Sequence, residues 1–327
     1  MLTEKSLSSY SISMTIPPNN HPQRPKIGLA LSGASGRAIA HIGILEVFRE
    51  NNIPIDYISA CSSGCVVAAS FACGTMDKLK EDWLKLERKT LLDFFMLDKT
   101  SNGIFDLEKF GQWVAAYTNG KRLEEVAPRL GFVSADIVSG VPVLLSLGDI
   151  AKAAQASCAV PGLFRPVDWG GMRLVDGGLY NIVPTTQAKE MGADIVIGVD
   201  IAATRYMFSN KWYPIKKTYD ALRNSLPARA YMKVHRAIDK ILVSATRAQA
   251  DTDPGVFALL DRALEITIAN AEKYKGVISG YDLLLEPNVK HLGKISFKNS
   301  LMMLEEGRRI AMGALPKIRK LIDSKTL

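Results

Sequence analysis

The chain has 327 residues, of which 47% are apolar and 23% charged, with a formal net charge of +8. That composition excludes wholesale disorder, collagen-like repeats and coiled coils, and it leaves room for one large domain or two small ones. No stretch approaches about 18 uninterrupted apolar residues, so no membrane-spanning helix is expected.

Residues 1–25 read as a disordered polar lead-in, with Ser6, Ser8, Ser9, Pro17, Pro18 and Pro22 and no basic-then-apolar pattern of a secretory signal. Lys26–Leu31 reads as a short buried strand, followed by a Gly/Ser-rich turn over Ser32–Gly36 and a helix over Ile39–Glu50. Pro54–Ala60 reads as a second strand, Ser62-Ser63-Gly64 as a sharp turn, and Cys65–Cys73 as an apolar helix closed by Gly74. Strand–turn–helix alternation repeated this closely predicts an α/β fold with a parallel sheet.

Residues 77–125 read as mostly helical. Phe132–Ile137 and Val141–Leu147 flank Ser139-Gly140 as a hairpin. Ile150–Cys158 reads as a small-residue helix stopped at Pro161-Gly162, and Gly170-Gly171 and Asp176-Gly177-Gly178 as turns. A helix over Thr185–Met191 precedes a buried strand over Ile195–Val199. The segment 202–280 reads as helical and basic, Tyr281–Glu286 as a late strand, and Leu301–Ile322 as an amphipathic terminal helix.

The charge is concentrated. Between Ala202 and Ala250 there are ten Lys or Arg against Asp220 and Asp239. The aromatics Tyr206, Phe208, Trp212 and Tyr213 stand at the start of this run, a mixture suited to a membrane interface. A solvated helical face is the plainer explanation, and no nucleic-acid-binding signature accompanies the cations. Cys61, Cys65, Cys73 and Cys158 show no paired spacing, so a reducing cytoplasm is expected rather than a disulfide framework. No zinc-type His/Cys set is present, and no metal or cofactor is required by the residues.

Three features can carry chemistry. Ser62 stands where a buried strand meets an apolar helix, in Ala60-Cys61-Ser62-Ser63-Gly64, the layout of a nucleophile elbow whose first glycine is replaced by alanine. An N-cap serine is the plainer alternative. Leu31-Ser32-Gly33-Ala34-Ser35-Gly36-Arg37 also joins a strand to a helix, and its small residues suit an oxyanion hole, although a tight turn explains them as well. Asp176 before Gly177-Gly178 reads as an Asx-turn that gains interest only beside a serine nucleophile. A Ser–Asp–His triad drawing on His235 or His291 is less well placed, and His41, inside the first helix, reads as a packed residue.

Taken together, these stretches resemble the bacterial branch of the patatin-like phospholipase family. The resemblance runs from about Lys26 to Ile201 through Leu31–Gly43, Ser62 and Gly64, Ala156–Phe164 with Pro166-Val167, and Asp176-Gly177-Gly178, and returns weakly near Tyr281–Gly307. It implies a three-layer α/β/α sandwich with a mostly parallel central sheet. It divides the chain into a tail (1–25), a catalytic core (26–201), a basic helical segment (202–280) and a C-terminal strand and helix packing back on the core (281–327).

It also implies a serine hydrolase of lipid or lysolipid carboxylic esters working through an acyl-serine intermediate. Ser62 is then the nucleophile and Asp176 the base. The backbone of Gly33, Ala34, Ser35, Gly36 and Arg37 holds the oxyanion, and Gly64, Gly177 and Gly178 support the elbow and the dyad. The expected setting is the cytoplasm, peripheral at the inner membrane face, with the 205–250 segment touching anionic lipid, no cofactor and no nucleic-acid partner. Ala34, Ser35, Ala38 and Ala60 replace family glycines, and a Cβ costs about 1–2 kcal/mol wherever φ must be positive. An inactive lipid-binding relative and an acyltransferase using the same dyad are the competing readings.

Overall fold

Strand β1 (Ile27–Leu31) is buried along its whole length, which suits the centre of a parallel sheet covered on both faces. Its side chains alternate. Ile27, Leu29 and Leu31 join the main apolar core, whereas Gly28 and Ala30 face the other way. The computed structural model describes residues 24–86, 96–97, 105–161, 164–202, 280–289, 291–292 and 299–326. The lead-in up to residue 23 and residues 203–279, hence the whole 205–250 basic run and His235, lie outside the described residues.

The remaining elements follow in chain order: α1 (Ile39–Glu50), β2 (Tyr57–Cys61), α2 (Ser63–Ala72), α3 (Met76–Lys85), a short antiparallel pair β3 (Met96–Leu97) and β4 (Phe105–Asp106), and α4 (Glu108–Ala115). Then come β5 (Arg129–Asp136), β6 (Pro142–Leu145), α5 (Ile150–Ser157), β7 (Val167–Trp169) and β8 (Met172–Asp176). The described chain closes with α6 (Thr185–Glu190), β9 (Ile195–Val199), β10 (Leu283–Leu285) and α7 (Ser300–Lys325).

The main sheet has the hydrogen-bonded order β10-β9-β1-β2-β5-β8-β7, with β6 also on β5. From β10 to β5 every pairing is parallel, and β6, β7 and β8 add antiparallel pairings at one side. Helices α1, α2, α3, α5 and α7 pack together on one face. Helix α6 covers the other, where the sheet presents small residues. A Cβ on Gly28 would stand 3.2 Å from that of Ala188, and the Ser59 hydroxyl donates to the Pro184 carbonyl at 2.7 Å. The result is the expected three-layer α/β/α sandwich with a mostly parallel sheet.

Two expectations need correction. The Gly170-Gly171 turn is flanked by strands, β7 and β8, that the sequence reading left as turns and linkers. Residues 77–125, read as mostly helical, also contribute β3 and β4 among the described residues. These strands are too short for periodicity to reveal.

The register of β5 determines what the fold brings together. Phe132 and Val133 pair with both β2 and β6, so those strands occupy opposite edges of β5. Ser134 and Ala135 pair with both β6 and β8, so β8 lies on the same edge as β2. Strands β2 and β8 therefore meet end to end on that edge. Cys61, the last residue of β2, pairs with Val133, and Asp176, the last residue of β8, pairs with Ser134.

Helix α7 returns the C-terminus to the core by crossing α1 at close range. A Cβ on Gly43 would strike the Leu304 carbonyl, and one on Gly307 would strike the Ala40 carbonyl. Glu46, 5% exposed, receives Lys80 at 2.6 Å and Arg308 at 2.9 Å, tying α1 to α3 and α7.

Candidate active site

Ser62 is the single residue between β2 and α2, with φ +52° and ψ −131°. A non-glycine residue held there stores about 1–3 kcal/mol, and persists only where its surroundings over-determine it. They do so here. The Ser62 amide donates to Ser157 Oγ at 2.9 Å, and the Ser157 hydroxyl donates to the Val133 carbonyl on β5. On the other side, the Cys65 amide donates to the Ser62 carbonyl at 2.9 Å. Two glycines are needed for space. A Cβ on Gly33 would overlap the Ser62 Cβ, and one on Gly64 would lie 2.8 Å from both the Leu31 and Ser32 carbonyl oxygens.

Asp176 ends β8 and is 7% exposed. Its amide donates to the Ala159 carbonyl at 2.9 Å, and its Oδ1 accepts from the Gly178 amide at 2.8 Å. Burial pushes its carboxyl up to about 6, against the opposing pull of the Gly178 amide, the nearby Ser62 hydroxyl and the Cys61 thiol. Gly177 is pressed on the Val133 carbonyl, with no room for a Cβ. Two residues one position apart thus brace both groups: Ser157 holds the Ser62 amide and Ala159 holds the Asp176 amide. The sequence reading had Ser157 only as part of a linking stretch. Its one local signal is a serine amid alanines on the buried side of α5, where it is fully shielded.

The loop after β1 is anchored from three sides. The Ser32 amide donates to the Val199 carbonyl at 3.1 Å, Ser32 Oγ accepts from the Ile201 amide at 2.9 Å, and the Ser32 carbonyl meets His41 Nε2 at 2.8 Å. Burial lowers the His41 pKa to about 4, so this ring is neutral at physiological pH and serves the loop. Of the five loop residues named as oxyanion donors, two have their amides engaged internally: Ala34 to Ser63 Oγ at 3.0 Å, and Arg37 to the Ala34 carbonyl at 3.2 Å. Among the described residues no acceptor is found for the amides of Gly33, Ser35 and Gly36.

The replaced family glycines differ in consequence. Ala34 has φ −172° and Ala38 φ −60°, both ordinary for an alanine, and Ala60 is a strand residue. Ser35, exposed at φ +50°, alone takes on a left-handed backbone. The neighbouring cysteines offer no competing nucleophile. Burial raises the pKa of Cys61, Cys65 and Cys158, which keeps all three as thiols. His291 is exposed and lies close enough to Glu306 to help lower the pKa of that carboxyl.

Comparison with known proteins places the chain among relatives of one family. The family profile described as patatin-like phospholipase matches residues 29–189. Uncharacterized NTE family protein MT2641 of Mycobacterium tuberculosis (strain CDC 1551 / Oshkosh) is 29% identical over 295 residues, covering 88% of this chain and 46% of its own. Uncharacterized NTE family protein Rv1063c of M. tuberculosis (strain ATCC 25618 / H37Rv) is 30% identical over 178 residues, 54% of this chain and 49% of its own. Patatin-like phospholipase domain-containing protein 6 of Mus musculus is 25% identical over 183 residues, 54% of this chain and 14% of its own. The chain thus spans about half the length of the mycobacterial relatives. The crystal structure of VipD from Legionella pneumophila aligns with TM-score 0.42 and 15% identity, over 92% of this chain and 67% of that one.

Proposed function

Because this chain belongs to the patatin-like phospholipase family, we propose that it is a serine acyl hydrolase of lipid carboxylic esters that works through a Ser62–Asp176 dyad. The observation that carries this reading is the end-to-end meeting of β2 and β8 on one edge of β5, which brings Ser62, the residue after Cys61, beside the buried carboxyl of Asp176. Burial raises that carboxyl to about 6, which leaves it mostly ionised at neutral pH. A carboxylate in this position accepts the serine proton directly. The fully buried His41, occupied with Ser32, is no candidate for an intervening imidazole.

In the proposed reaction Ser62 Oγ attacks the ester carbonyl carbon as its proton passes to Asp176. The carbonyl oxygen becomes an oxyanion facing the amides of Gly33, Ser35 and Gly36 and the first amides of α2, where the helix dipole favours negative charge. The alcohol leaves with the proton returned by Asp176. Asp176 next deprotonates a water, whose attack cleaves the acyl–Ser62 ester; the proton passes from Asp176 to the departing Ser62 Oγ, and the free acid leaves. An alcohol taking the place of that water would give acyl transfer by the same residues. The amides of Ala34 and Arg37, engaged elsewhere, have the structural task of shaping the loop. Gly64, Gly177 and Gly178 give the elbow and the aspartate their close contacts.

Action at a lipid surface from the cytoplasmic side belongs to the same proposal. It is supported by four free cysteines and by the cationic 205–250 segment, a candidate contact for anionic lipid. Among the described residues no helix is long and apolar enough to cross a membrane. The test is a fluorophosphonate probe read by intact mass. One probe should add to the wild-type protein and none to Ser62→Ala. A folded wild-type protein that stays unlabelled overturns the reading.

A further inference from the structure

The turn between β5 and β6 is the most apolar exposed stretch near the candidate site. Residues 137–141 are all exposed, and three of them are large apolar side chains: Ile137 at 49%, Val138 at 75% and Val141 at 52%. Single exposed hydrophobics are ordinary, but three around one five-residue turn form a patch.

Under this patch four of the five backbone amides find acceptors within the turn and its flanking strands, and the Val141 amide finds none among the described residues. The Ile137 amide donates to the Arg173 carbonyl at 2.9 Å, and the Gly140 amide to the Asp136 carbonyl at 2.8 Å. The carboxylate of Asp136 takes the other two. Its Oδ1 accepts from the Val138 amide at 3.3 Å, and its Oδ2 accepts from the Ser139 amide at 3.2 Å and the Ser139 hydroxyl at 2.6 Å. Four consecutive amides, residues 137 to 140, therefore need no water, and Pro142 has no amide to satisfy.

A loop that lives in water has no need to bind four of its five donors internally. A loop that enters a poorly hydrating medium does, because each unpaired polar group is costly there. We propose that the 137–141 turn is a membrane-docking tip, which sets Ile137, Val138 and Val141 among the upper acyl chains of a lipid layer. Depth is limited to the interfacial zone, where carbonyls stay hydrated. The exposed Arg173, whose backbone is tied to the turn through Ile137 and Asp136, stands ready for a lipid phosphate.

The position suits an enzyme. Ile137 lies three residues beyond Ser134, the partner of Asp176, or about 10 Å along the strand. The tip would hold the dyad close to the layer that supplies its ester. That use rests on the hydrolase reading, but docking itself does not.

The test compares the full-length protein with Val138→Asp and Ile137→Asp in sedimentation with vesicles of phosphatidylcholine, alone and mixed with phosphatidylglycerol. Both side chains project into solvent, so both variants should fold. Partitioning should fall at least about tenfold in each variant on both vesicle types, since burial of one such side chain is worth that much. Fluorophosphonate labelling and hydrolysis of a short water-soluble ester should be unchanged. A Val138→Trp variant should show indole emission that shifts to the blue on vesicles and is quenched by brominated phosphatidylcholine.

Wild-type binding that Val138→Asp leaves intact overturns the tip, including binding that needs phosphatidylglycerol and so reports the basic segment. Absence of wild-type binding overturns it as well. Tip-dependent binding by a protein that neither labels nor hydrolyses leaves docking in place and removes the hydrolase reading.

Discussion

Asp176 is stabilised in its neutral form by burial, whereas the proposed reaction uses it as an anion. That conflict makes two predictions. Labelling of Ser62, or turnover of a soluble ester, should rise with pH along a single limb centred near 6 and then level off. A flat profile from about pH 5 to 8 would remove Asp176 as the base. The stability effect has the opposite slope. With a folded pKa near 6 against an ordinary value of 3.8, the native state favours the protonated acid. Stability is therefore fully present below the unfolded pKa and is lost as pH rises through about 6, a loss of roughly 3 kcal/mol at neutral pH and above. Asp176→Asn should melt higher than wild type at about pH 8, with the gap narrowing toward pH 4, as scanning calorimetry can check. Ser62 and Asp176 stand out in the sequence because strand–turn–helix and Asp-Gly-Gly patterns are local. Ser157 does not, because its value lies in a hydrogen bond to a residue 95 positions away.

At the scale of elements, α1 and α7 show how much a missing side chain can organise. Gly43 and Gly307 face each other's helix with a backbone carbonyl where a Cβ would be, so the two helices approach more closely than larger residues allow. Replacing Gly307 with valine must push α7 away from α1 or unwind a turn. A loss of about 3 kcal/mol is expected, read as a lower denaturant midpoint with Ser62 still labelled below it. Little or no change would mean that the helices meet elsewhere. In the sequence Gly43 and Gly307 look like weak spots in their helices, since helical propensity alone counts glycine as unfavourable. The hairpin of β7 and β8 was missed for a related reason. Its strands have three and five residues, and both φ-positive glycines of its turn were legible while the flanking alternation was not.

At the scale of the whole molecule, the C-terminal helix is part of the core. Met303, Leu304, Ala311, Leu315 and Ile318 are buried, and Arg308 reaches the nearly buried Glu46. Removal of residues 300–327 would uncover the apolar residues of α1 that this helix covers and leave Lys80 as the ion-pair partner of Glu46 among the described residues. The truncated chain should lose cooperative unfolding and bind hydrophobic dyes, measured by calorimetry and dye fluorescence. A cooperative transition at the wild-type temperature would show the helix to be dispensable.

By itself the sequence determined the alternation of strands and helices, the parallel α/β class, the turn at Ser62 and the carboxylate at Asp176. All of these are set by periodicity and turn chemistry within a few residues of one another. The tertiary structure decided what those residues face. Strands β2 and β8 reach the same edge of β5 from opposite directions, and only that register sets Ser62 against a carboxylate 114 positions later in the chain. It also decided which loop amides are free and which are engaged, and it turned Asp136 into the anchor of an apolar tip. Local patterns report the shape a segment prefers. Pairing across a sheet is a choice among distant partners, made by packing and hydrogen bonding together.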